Sequence, residues 1–202
     1  SWTERKASTD NWDWTLGKAQ YDWLTATLAT SRAKYRFVFI HNLVGGRGKD
    51  SRGGSDAADF WEWGGKAEPG ASPGTGTAGA SPSPAASSAS GDALPDFARR
   101  RPGWAMPIHQ LLVQGKVDVV FHGHDHFYAR EEKDGIIYQL VPQPSLGNRQ
   151  KTEELAAEYG YSRGDNLASP GYLRVSIGST EARVDLLQAG SAQALRSYAI
   201  KP

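Results

Sequence analysis

Val117-Asp118-Val119-Val120-Phe121 runs without a break into His122-Gly123-His124-Asp125-His126. Apart from one Asp, the first half is β-branched and aromatic. That is the composition of a strand buried on most of both faces, as in a parallel sheet. The second half is polar and holds three of the 5 histidines in the chain. In α/β sheets, ligand sites gather at the C-terminal ends of strands, and neutral imidazole is the commonest metal-ligating side chain. Gly123 is expected to let the backbone turn sharply or approach a ligand closely. Two histidines separated by one residue at a turn would point to two neighbouring positions and suit a binuclear centre. Along a continuing strand, His122, His124 and His126 would instead share one face. Either geometry accommodates a metal, and a His-rich polar edge without a ligand is the third reading.

Upstream, Pro107 suits the first turn of a helix that carries Ile108, Leu111 and Leu112 and stops at Gly115. Tyr35-Arg36-Phe37-Val38-Phe39-Ile40 reads as another buried strand, ending at His41-Asn42 and then Leu43-Val44-Gly45-Gly46. Before it, Leu16, Ala19, Trp23, Leu24 and Leu28 recur at helical steps between Thr15 and Ala33, with Thr15 as the expected N-cap. If the two strands lie side by side and parallel, His41 and His124 meet at one end of the sheet. Downstream, Phe127–Arg130 and Ile136–Val141 form an expected hairpin turning at Asp134-Gly135. Gly171–Ile177 and Ala182–Leu187 form a second, and a short helix is expected near Glu153–Tyr159. Ala71 to Gly91 contains only Ala, Gly, Pro, Ser and Thr. Such a stretch cannot offset the entropy of ordering, so 67–92 is expected to be a disordered insertion on the surface of one domain.

The 202 residues carry 23 Lys plus Arg against 22 Asp plus Glu, a net charge of +1. That balance argues against a nucleic-acid binder held by phosphate contacts. No apolar run approaches the length of a membrane span. With no cysteine in the chain, disulfides, Cys-ligated metals and thiol nucleophiles are excluded. The compartment stays open, with the Ala/Ser/Pro-rich stretch leaning towards an exported protein.

The run Phe37 to His41, followed after about 80 residues by Val119 to His126, resembles the C-terminal half of a calcineurin-like metallophosphoesterase. That family places a lone His after one strand and a G-H-x-H loop after the next. Asp13-Trp14-Thr15-Leu16-Gly17 and Arg101-Pro102-Gly103-Trp104 resemble its bacterial branch. The resemblance covers 15–142 and implies an α+β fold. The expected architecture is part of a four-layer α/β/β/α sandwich, two mixed sheets flanked by helices, with 1–202 as the C-terminal part of a single domain. It also implies a phosphatase or phosphodiesterase working through two divalent or trivalent ions (Mn, Fe or Zn) on a phosphoester substrate. His41 and His124 would ligate one ion and His126 the other. Asn42, Gly45, Gly46, Gly123 and Asp125 would lie behind the ligands or at the substrate mouth.

His122 is expected to be packed and His109 structural or exposed, and Arg47, Arg149 and Arg163 are the candidate phosphate binders. The family's D-x-H, G-D-x-x-D and G-N-H-D/E motifs do not occur among the 202 residues. No catalytic residue is therefore assigned, and the missing N-terminal half of the domain is an expected partner. The alternatives are a truncated or degenerate member that binds metal or a partner without catalysis, and a structural or interaction domain with an incidental His cluster.

Overall fold

The computed structural model describes residues 11–43, 52–66, 95–145, 151–168, 170–188 and 190–202. Gly45, Gly46, Arg47, Arg149 and the insertion expected over 67–92 lie outside them.

The helix expected over 15–33 spans Lys18–Thr30 (α1). It starts late because Gly17 sits at φ 80°, a conformation that suits only glycine at low cost. The Thr15 hydroxyl accepts the Gly17 N–H (2.8 Å) instead of capping the helix. Strand β1 (Phe37–Ile40) follows, and then two short helices, α2 (Trp61–Gly64) and α3 (Pro95–Arg100). Helix α4 (Ile108–Gln114) falls where the sequence places it, while strand β2 (Val119–His122) starts two residues later than expected and takes in His122. The hairpin is β3 (Tyr128–Lys133) with β4 (Ile136–Leu140), turning at Asp134-Gly135. Helix α5 (Thr152–Tyr159) and strand β5 (Asp165–Leu167) come next. Strands β6 (Tyr172–Ile177), β7 (Ala182–Leu187) and β8 (Arg196–Ile200) complete the chain.

The chain is α+β, with two sheets flanked by helices. The first sheet has the order β1-β2-β4-β3-β5. Its β1, β2 and β4 are parallel, while β3 and β5 run against them. Alternation along β2 divides the core. Val119 and Phe121 face the second sheet and pack with Ile137, Ala182, Val184 and Ile200. Val120 faces the helices, in a cluster with Tyr21, Leu24, Leu111, Leu112, Trp63 and Tyr138. Burying a side chain of this size stabilises the fold by about 1.5–3 kcal/mol.

The second sheet corrects one expectation. Rather than mixed, β6-β7-β8 is wholly antiparallel. Short turns join its strands, and a short connection can only reverse direction. Its far face is polar: Asp185 is held by Arg174 (2.9 Å), Arg183 (2.9 Å) and the Ser197 hydroxyl (2.5 Å). No helix among the described residues is long and apolar enough to cross a membrane.

A buried carboxylate fastens the N-terminal segment. Glu62, 2% exposed, accepts the Leu16 N–H (2.7 Å) and Arg101 Nε (2.5 Å). Arg101 also donates to the carbonyls of Trp12 (2.6 Å) and Trp14 (3.1 Å). The Asp13–Gly17 and Arg101–Trp104 segments are therefore neighbours in space.

Candidate functional site

Strands β1 and β2 pair in parallel with Ile40 opposite His122. One further rung follows, the Gly123 N–H donating to the His41 carbonyl (2.9 Å). His41 and the loop after β2 thus leave the sheet at the same level. The sharp turn does not fall at Gly123, where an added Cβ would meet only ordinary contacts at 3.5 and 3.9 Å. It falls on two histidines, His124 at φ 82° and His126 at φ 66°. Left-handed backbone at a non-glycine residue costs on the order of 1–2 kcal/mol. Strain of this kind concentrates at functional sites.

The result is a pair of facing rings. His124 Nδ1 lies 3.3 Å from His41 Nε2, with the ring planes at 82°. Burial, and then the Arg52 charge, lowers the His124 pKa, so its ring is neutral at pH 7 and has a lone pair to donate. Two imidazole nitrogens bound at about 2.0–2.1 Å to one tetrahedral ion would lie roughly 3.3–3.4 Å apart. The pair therefore fits two positions of one metal shell.

His41, His124 and the exposed His126 line one pocket of about 490 Å³. Arg52, Asp125, Phe127, Gln143, Thr152, Leu155 and Tyr159 complete its walls. Among the described residues no group of three or more His, Cys, Asp or Glu side chains is arranged to hold a metal ion. These residues fit two donors of a shell and do not complete it.

Asp125 is held by two partners. It accepts Arg52 Nη1 on one oxygen (2.7 Å) and the Tyr161 hydroxyl on the other (2.6 Å). Burial, and then the Asp125 charge, raises the Tyr161 pKa well above its usual range, so the phenol stays a donor. His122 is buried and lies parallel to the Tyr161 ring, 6.2 Å between centroids; burial lowers its pKa to about 3. His109 is buried in α4, between the Tyr138 hydroxyl (2.7 Å) and Asp134 (2.8 Å). Asn42 is half-buried and Gly123 lines a shallow depression beside Phe39 and Val141; neither lines the larger pocket.

Arg163 pairs with Asp56 at 3.4 Å and is not part of the pocket wall. The arginine that is part of it, Arg52, carries no mark in the sequence. Nothing local signals that a residue after a Gly-rich loop will meet Asp125. Tyr159 and Tyr161 likewise reach the site only through the placement of α5.

No family model matches the chain, and the search of curated proteins found no match. Among solved structures, it is similar to purple acid phosphatase PPD1 isolated from yellow lupin (Lupinus luteus) seeds. The identity is 12% and the TM-score 0.43, over 94% of this chain and 29% of that one. The chain thus spans less than a third of the length of that protein.

Proposed function

We propose that the chain carries histidine ligands of a metal-dependent phosphoester hydrolase, a phosphatase or phosphodiesterase. One observation carries the reading: the 3.3 Å approach of His124 Nδ1 to His41 Nε2 at the C-terminal ends of two adjacent parallel strands. The strand-His and G-H-x-H pattern supports it. His41 and His124 would hold one ion, and His126 a second. Bound there, metal ions supply Lewis acidity and an acidified water for attack on phosphorus. The chain's own contribution is to hold the two imidazoles at this separation, with burial lowering the His124 pKa, and to present Arg52 on the pocket wall. The carboxylate-bearing motifs of the resembled family are absent from these residues, so the 202-residue chain alone holds metal weakly and does not turn over substrate.

Isothermal titration with Zn²⁺ and Mn²⁺, with p-nitrophenyl phosphate hydrolysis alongside, tests this. Wild type binds about one ion, and His41→Ala or His124→Ala weakens binding at least tenfold, about 1.4 kcal/mol. Wild type retaining no more metal than the His41/His124/His126 triple alanine variant overturns the reading. Turnover by the chain alone at rates usual for whole enzymes overturns its inactivity. A second reading, a non-catalytic metal or partner binder, is favoured by the lack of a third convergent donor among the described residues. Hydrolysis restored by supplying a polypeptide that carries those carboxylate motifs would exclude it.

A further inference from the structure

Arg52 is an unusual feature of the pocket wall. Its side chain is 22% exposed, and it faces a carboxylate that is 1% exposed. Taking a guanidinium this far out of water is costly unless its hydrogen bonds are made. Asp125 accepts from Nη1 at 2.7 Å, while the buried Nε has no hydrogen-bond partner. Below the plane, the Tyr159 ring lies 4.5 Å from the guanidinium carbon. Asp125 is in turn fixed by the Tyr161 hydroxyl at 2.6 Å. The cation is therefore clamped from an edge and a face. A guanidinium carries five N–H donors in a rigid fork suited to tetrahedral oxyanions, and Asp125 occupies a single Nη1 contact.

We infer that Arg52 is the anchor of an oxyanion subsite that takes a phosphate-class group. Asp125 and Tyr159 act as positioning residues that hold the fork, and the group lies in the same pocket as His41 and His124. The inference rests on the proposed hydrolase for its place in a reaction, but oxyanion binding does not itself need the metal. Of the three arginines named from sequence, Arg163 pairs instead with Asp56.

Inorganic phosphate is the probe, titrated into the full chain in excess EDTA and again with Mn²⁺. Two readouts are used: calorimetric affinity, and the shift of the Arg52 side-chain Nε–H signal in ¹⁵N NMR spectra. Wild type binds phosphate and moves that signal. Arg52→Gln weakens binding at least tenfold, as losing a charge-assisted hydrogen-bonded contact implies, Arg52→Lys weakens it less, and Arg163→Gln leaves it within twofold. Equal affinity in wild type and Arg52→Gln overturns the assignment. If Arg52→Gln fails to fold, the wild-type spectrum decides, and an unmoved Nε–H signal at saturating phosphate overturns the inference. Arg52-dependent phosphate binding with no metal retention would sink the hydrolase reading and leave the subsite standing. Metal retention with no phosphate effect at Arg52 would do the reverse.

Discussion

Replacing Glu62 by Gln should be the most damaging isosteric change in the N-terminal part of the chain. Its side chain is 2% exposed and that of its partner Arg101 is 12% exposed, so neither charge is appreciably screened by solvent. Glu62 accepts from Leu16 N–H and Arg101 Nε, while Arg101 reaches the carbonyls of Trp12 and Trp14. A carboxamide keeps the shape but offers one acceptor oxygen and no charge, leaving Arg101 buried and uncompensated. Breaking such a pair from one side costs about 3–5 kcal/mol. A domain's whole stability is about 5–15 kcal/mol, so the loss is a large fraction of it. Urea unfolding followed by tryptophan fluorescence reads it directly, with the midpoint falling and the slope unchanged. Arg101→Met in the same background should recover part of the loss, because it removes the stranded charge. The coupling in the double-mutant cycle should exceed about 1 kcal/mol. A Glu62→Gln variant within about 1 kcal/mol of wild type, or strictly additive effects, would refute this account of the segment.

Two further outcomes follow from the same structure. Asp185 has its pKa lowered to about 2, first by the Ser197 hydroxyl and then by Arg174; a depressed carboxylate stabilises the fold above its unfolded pKa of about 3.9. Stability should therefore fall as pH drops from about 4 towards 2, and Asp185→Asn should flatten the urea midpoint over that window; an unchanged slope refutes it. His124→Gly should relieve the left-handed backbone at φ 82° and raise stability by about 0.5–1 kcal/mol while lowering metal affinity. A variant less stable than wild type would show that the ring's contacts outweigh the strain.

Most of what positions the site was legible in the sequence. The apolar runs ending at Ile40 and Phe121 marked β1 and β2, and their abrupt change to His marked the strand ends that the register places side by side. Asp134-Gly135 marked the first hairpin, and the runs Gly171–Ile177 and Ala182–Leu187 marked the second. β5 has only three residues, Asp-Asn-Leu, and pairs with β3 alone; β8 alternates weakly and is half exposed. Elements held by one neighbour need little hydrophobic pattern of their own. Glycine at 123 is the local signal for a sharp turn or a close approach, yet the left-handed backbone falls on His124 and His126. Arg52, Tyr159 and Tyr161 were not legible because their roles arise from partners far along the chain. Asp125 and Arg52 are 73 positions apart.

The rung between the Gly123 N–H and the His41 carbonyl belongs to the main chain. Together with the Ile40–His122 register, it fixes how far apart positions 41 and 124 leave the sheet, whatever side chains they carry. Donor chemistry and donor placement are thereby separable. A carboxylate or thiolate introduced at either position would start from the same backbone separation as the imidazoles, so the donor chemistry there can be changed without rebuilding the frame that carries it.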